Sequence, residues 1–271
     1  MREVEVVSIA RSGSAEWANE SGLRPLSAFR SRLLSSTGVA TTLALALIVG
    51  AAAPARADKT YGSNTVTTTG NRLTTPAFLQ GNPVTVTVKS GVCVTGAGAG
   101  VQGGGLAQSA VFNNNGSVTS TISGQNGVDV LGGTLLGVPV GSATYTGGSN
   151  STVTGAENGI NAVGSNATVT INGAPGSTTT VTGNNGDGIV VDATLAAKVT
   201  TTNTVIVGSA NGIRLDGASN VADLTGGSVT GTSGDGIVAS GLVNSITTSG
   251  TTVSGGDNGI AASGGITTID L

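Results

Sequence analysis

The sequence predicts an all-β protein: a parallel β-solenoid of roughly 24-residue coils. Three observations carry this. First, a motif of the form Val-(Thr/Ser)-Gly, a few polar residues, then (Asn/Asp)-Gly-(Ile/Val) recurs through the chain, with its second glycine at Gly127, Gly159, Gly188, Gly212, Gly236 and Gly259. The intervals are 32, 29, 24, 24 and 23, within the range of repeat architectures. Second, the composition suits neither helical repeats nor propellers. Glycine supplies 46 of 271 residues and aromatics only 2%, and Thr, Ser, Asn and Val take the places that helix formers or blade aromatics would need. Third, each interval holds short alternating runs, such as Gly236 to Ala239, Leu242 to Thr247 and Thr251 to Gly255. Ile237, Ala239, Ile246 and Val253 are expected inside, with Thr and Ser facing water.

The same composition excludes several chemistries. The chain has no His, so Ser-His-Asp and Cys-His sites and His-ligated metals are not available to it. Charged residues are only 9%, which leaves no electrostatic footprint for nucleic acid. Simple disorder does not fit a chain that is 38% hydrophobic with a mean hydropathy of +0.25.

Taken in order, residues 1–57 read as a leader. Arg24, Arg30 and Arg32 precede an apolar run from Val39 to Ala53, and Ala55-Arg56-Ala57 supplies an A-x-A site, so cleavage is predicted after Ala57. The run is shorter than the ~20 residues a membrane span needs. Ahead of it lies an extension holding Trp17 and the acids Glu3, Glu5, Glu16 and Glu20. The leader implies export machinery as a partner. It holds six of the eleven cations and four of the fourteen acids, so the remainder changes from −3 to −5. Residues 58–110 read as an N-terminal cap with irregular first coils, including the strand-like Val84 to Val88 and a glycine-rich break from Gly96 to Gly105. Residues 111–271 read as the solenoid repeats. About nine coils fit after the leader, giving a body of roughly 43 Å at the parallel-strand spacing.

The repeat turns are Asn126-Gly127, Asn158-Gly159, Asp187-Gly188, Asn211-Gly212, Asp235-Gly236 and Asn258-Gly259. Asn-Gly and Asp-Gly allow positive φ, so these glycines are expected to be there for that freedom. They would equally suit antiparallel hairpins, the structural rival. Stacked Asn126, Asn158, Asn211 and Asn258 are expected to form an amide ladder, with Asp187 and Asp235 interrupting it. The motif copies begin at Ile122, Val153, Val181, Val207, Val229 and Val253.

Few residues suggest a reactive site. Cys93, the only cysteine, lies between Val92 and Val94 and is expected to be a small buried hydrophobe. Gly98-x-Gly100-x-x-Gly103 matches a dinucleotide pattern, but a helix must follow and an acid stand about 20 residues on; neither is legible here. Asp187, Asp235 and Asp257 offer at most weak calcium binding, since calcium arrays repeat every nine residues. Asp192, Asp216 and Asp223, near Lys198 and Arg214, form the densest charged group and read as solvated turn charges. No catalytic residue, cofactor or metal site is predicted.

The leader ending in Ala55-Arg56-Ala57 and the Val-Thr-Gly…Asn/Asp-Gly-Ile repeats from Ile122 to Ala262 resemble the passenger region of bacterial autotransporters and related secreted adhesins. The resemblance implies a right-handed parallel β-helix, periplasmic and then presented at the cell surface of a Gram-negative bacterium. It implies a host or surface glycan or protein as ligand, and a translocating β-barrel with aromatic girdles after the passenger. The sequence stops mid-pattern at Ile269-Asp270-Leu271 without that barrel, as a truncated product or fragment would. A non-functional fragment and a β-helix enzyme acting on extracellular polysaccharide are the alternatives.

Overall fold

The computed structural model describes residues 58–61, 65–68, 73–74 and 83–271 apart from 104–107 and 178; the predicted leader lies outside them. All belong to one compact unit, Ala53–Leu271. The described residues are all-β and contain no helix, and nineteen strands join one sheet in which successive repeats pair in parallel.

The pairing falls into three ladders. The first contains Asp58–Tyr61, Val84–Val88, Ala110–Asn114, Ala143–Gly147 and the runs 167–171, 197–201, 220–224, 244–248 and 267–270. The second contains Thr65–Thr68, Cys93–Gly96, Ser117–Ser120, Thr152–Gly155, Thr180–Gly183, the runs 205–208 and 228–231, and Thr252–Gly255. The third contains Leu73–Thr74, Ala99–Gln102, Val128–Leu131 and the runs 160–163, 189–192, 213–216, 237–240 and 260–263. The ladders run through residue 110 without change, because Val84–Val88 already pairs with Ala110–Asn114. Among the described residues the only antiparallel strand pair is a small hairpin, Thr134–Leu135 with Val138–Pro139, so the tandem-hairpin rival fails for the repeats.

Alternation builds the core. In the second ladder Val94, Val118, Val153, Val181, Ile206 and Val229 stack in register and are buried. In the third, Val128, Ile160, Ile189, Ile213 and Ile237 do the same. Each fully buried side chain of this kind contributes about 1.5–3 kcal/mol. Ile237, Ala239 and Ile246 are buried as expected, and Val253 is partly buried against them. The first ladder places Phe112 on Tyr145 as register partners, with ring centroids 6.0 Å apart and planes within 12°.

The register corrects two motif assignments. The Val-Thr-Gly equivalent of the first copy is Val118-Thr119-Ser120; Ile122 is exposed, in a turn closed by Gln125 N–H donating to Ile122 O at 3.1 Å. In the fourth copy Ile206, not Val207, pairs with Val181. The two long intervals hold insertions: the 134–139 hairpin between Val128–Leu131 and Ala143–Gly147, and a segment beginning with the turn at 173–177 before Thr180–Gly183.

Cys93 is exposed, contrary to the expectation of burial. In Val92-Cys93-Val94 the pleat sends alternate residues to opposite faces, and both valines take the inside. Its thiol is therefore expected to react stoichiometrically with a thiol-disulfide reagent in the folded state, without denaturant; protection until unfolding would contradict this placement.

Candidate functional site

The densest array of polar side-chain bonds lies at the turns between the second and third ladders. Asn158 donates its Nδ2 to Asn126 Oδ1 at 3.0 Å and its backbone N–H to the same oxygen at 3.2 Å. Asn158 Oδ1 accepts from Asp187 N at 2.8 Å. Asp187 Oδ1 accepts both N and Nδ2 of Asn211 at 2.9 Å. Asn211 Oδ1 accepts Asp235 N at 2.9 Å, and Asp235 Oδ1 accepts N and Nδ2 of Asn258 at 3.0 and 2.7 Å. The ladder is thus continuous over all six turns, and Asp187 and Asp235 carry it rather than interrupt it. The physical condition is local: a carboxylate accepts but cannot donate, so each needs an amide above it, and both have one. Asn211→Asp would stack three carboxylates in succession. It is expected to destabilise the fold by about 2 kcal/mol at neutral pH; denaturant melts of the variant beside the wild type check this.

The motif glycines have a different cause from the one the turn chemistry suggests. None of Gly127, Gly159, Gly188, Gly212, Gly236 and Gly259 has positive φ. At the first five of these the next repeat lies directly on top of the glycine; at Gly259 the nearest atom is Val253 O at 3.6 Å. A Cβ at Gly188 would stand 2.6 Å from both Gly212 O and Ile206 Cγ2, and one at Gly236 would stand 2.5 Å from Gly259 O. The other motif glycine is equally confined: a Cβ on Gly155, Gly183, Gly208, Gly231 or Gly255 would run into the backbone oxygen of Asn158, Asp187, Asn211, Asp235 or Asn258.

Charge enters this array at two places. Arg214 Nε donates to Asp187 Oδ2 at 2.9 Å, which leaves both carboxylate oxygens of Asp187 partnered. Asp129 is buried on its strand and accepts Asn126 Nδ2 at 2.7 Å and Asn161 Nδ2 at 2.9 Å. A second short polar contact, not legible in the sequence, joins two coils of the first ladder: Asn220 Nδ2 donates to Asn244 Oδ1 at 2.8 Å, and Asn244 Nδ2 donates across to Ser263 O, at the end of the third-ladder run 260–263, at 2.9 Å. Nothing in the repeat motif marks it, because it lies at strand positions that earlier coils fill with alanine (Ala143, Ala167, Ala197).

Asp192 and Asp216 are register partners on adjacent parallel strands, about 4.8 Å apart along the stack. Both are exposed, as are Asp223 and Lys198 on the first ladder. Asp187 and Asp235 do not converge on Asp257 as a cation site would require. They are separated by Asn211, and it is Asn258, not Asp257, that continues the column. Among the described residues no three Cys, Asp or Glu side chains are grouped to hold a metal ion. Gly98-x-Gly100-x-x-Gly103 is spanned by the strand Ala99–Gln102, with Gly98 at φ 83°; among the described residues no helix follows. A recess of about 490 Å³ lies where the inward columns end, lined by Val253, Ile260, Ile269 and Leu271 with Thr248 and Gly259.

Comparison with protein-family models, with curated proteins and with solved structures yields no match to this chain.

Proposed function

We propose that the chain is a right-handed parallel β-helix whose three ladders form three walls, and that it works as a non-catalytic passenger. It is exported through its leader and presented at the cell surface for adhesion or another surface interaction. The observation that carries this reading is the in-register stacking of six Asn/Asp-Gly turns over hydrophobic columns. Side chains are used there to hold one coil on the next, and the outward positions are left to Thr, Ser and Asn. Such a surface offers many hydroxyl and amide groups along one axis, which suits a glycan or an extended protein ligand. The test is to express the full chain in a Gram-negative host. The reading expects a mature N-terminus at Asp58 in the periplasmic fraction, and binding of the exported protein to a glycan or cell-surface array. An uncut N-terminus retained in the cytoplasm, or no binding to any surface, would overturn it.

One observation favours a second reading, an enzyme acting on extracellular polysaccharide. Asp192 and Asp216 are exposed register partners on adjacent strands, and sugar hydrolysis by retention uses a pair of neighbouring carboxylates. Turnover of a polyuronate or neutral glycan that is lost in Asp192→Asn and Asp216→Asn would decide for it.

A further inference from the structure

The junctions that carry the chain from the third ladder to the first collect most of the exposed bulky aliphatic side chains of the described residues. Leu195 is 58% exposed, Leu242 71%, Val243 41% and Ile266 65%. Ala196, Ser219, Val243 and Ile266 are register partners, so the junctions share one edge over four successive repeats, about 14 Å at the parallel spacing; three of them carry the bulky side chains, and the Gly217-Ala218-Ser219 junction between Leu195 and Leu242 carries small ones. The inserted hairpin Thr134–Pro139 leaves the same junction two repeats earlier. Its base is tied to the next junction by Ser165 Oγ donating to Val140 O at 3.0 Å, and it holds Leu136 96% exposed at φ 51°. Elsewhere outward positions are mostly Thr, Ser and Asn. Bulky apolar side chains gathered along one edge of such a surface mark an interaction site.

The flanks of the ridge say what covers it. Asp192 ends the third-ladder run just before the Leu195 junction, and Lys198 lies on the first-ladder run just after it. Both are exposed, and neither makes an ion pair to another described residue. The acidic flank continues in Asp216. We propose that the ridge is the interface of a side-by-side dimer of this chain, with the two copies parallel about a two-fold axis along the stack. That symmetry sets Leu195 against Leu195 and Asp192 of each copy against Lys198 of the other at the same height, while Asp216 meets the flank that carries Asp223, four positions beyond the junction. An antiparallel two-fold would oppose Asp192 and Asp216 to their own copies, and like charges across an interface suppress that pairing. A different protein bearing apolar and basic residues is the other occupant the surface could accept, and the test separates the two.

The inference depends on the register of the ladders and not on the adhesive role. Sedimentation equilibrium on the full chain, with far-UV circular dichroism of each variant, tests it. The wild type is expected to dimerise weakly, as small interfaces do. Leu195→Glu, and independently Leu242→Glu, are expected to be monomeric with an unchanged strand signal. Asp192→Lys should weaken the dimer about tenfold, since symmetry repeats the lost pair, and Asp192→Lys with Lys198→Asp should restore it. A β-rich wild type that stays monomeric at millimolar protein would overturn the inference and leave the surface to a different partner. So would a dimer indifferent to both glutamates, or a double swap no tighter than the single. A wild-type chain without a strand signal would instead overturn the fold itself.

Discussion

Gly212→Ala is expected to destabilise the fold by about 1–3 kcal/mol, whereas Gly259→Ala, the same substitution at the same motif position, is expected to stay within about 0.5 kcal/mol of wild type. At Gly212 the new methyl would stand 2.5 Å from Gly236 O and 2.5 Å from Val229 Cγ1. Neither atom is free to move: the oxygen accepts the Ile213 N–H at 2.9 Å, and Val229 is part of the buried column. At Gly259 the nearest atom is Val253 O at 3.6 Å, ordinary contact. φ is not positive at either site, so the contrast isolates stacking from backbone conformation. Equilibrium urea unfolding of the two variants measures it. Equal losses would mean that the glycines serve the turn after all. Gly250, at φ 63° with nothing within 4 Å, supplies the opposite control, since its cost in Ala would be conformational alone.

The second large effect concerns Tyr145. Its ring is fully buried against Phe112, and its hydroxyl accepts Asn114 Nδ2 at 3.2 Å. Asn114 is itself buried and accepts the Gly116 N–H at 3.0 Å. Tyr145→Ala is expected to cost about 3–5 kcal/mol, as large buried aromatic truncations do, while Tyr145→Phe should lose only on the order of 1 kcal/mol for the hydrogen bond. The two variants also separate in pH dependence. Burial pushes the Tyr145 hydroxyl well above its ordinary value of 10.0, and hydrogen bonds from Asn114 and Ser151 only partly oppose this. The group is an acid whose folded pKa lies above the unfolded one. Its contribution to stability is therefore whole below pH 10 and falls as pH rises past 10, by up to about 1.4 kcal/mol per pH unit. Urea midpoints should decline in that range for the wild type and decline less for Tyr145→Phe. Identical alkaline curves would show that Tyr145 ionises as freely folded as unfolded.

How far the site could be read from the sequence differs residue by residue. The column of six turns was legible, because Asn126, Asn158, Asp187, Asn211, Asp235 and Asn258 recur at a near-constant spacing and coil stacking puts equal positions in line. That the two aspartates sustain the ladder was not legible. It depends on which neighbour donates, and backbone N–H groups supply bonds that a side-chain pattern cannot display. The Ile122 and Val207 assignments slipped for a related reason. A turn before Asn126 lengthens the first copy, and a β-branched residue on either side of a strand satisfies a motif equally well, although only one faces inward. Cys93 shows the same ambiguity: both parities of Val-Cys-Val are apolar, and alternation cannot say which is inside. That Asp192 and Asp216, members of the densest charged group, are direct register partners was not legible, because only the ladder pairs them.

Periodicity and composition were enough to decide that the chain is all-β and that its repeats stack at equal positions. Both follow from local facts: glycine and asparagine at fixed intervals, β-branched residues between them, and almost no helix-forming or aromatic material. Why the motif residues are glycine needed the neighbouring repeat. The expected reason was a turn with positive φ; the observed one is that a carbonyl and a valine methyl from the next coil occupy the space of a Cβ. The exposed ridge at Leu195, Leu242 and Ile266 belongs to the same class of fact. Its members are separated by more than twenty residues each and become one surface only when parallel register brings successive repeats within about 4.8 Å of each other.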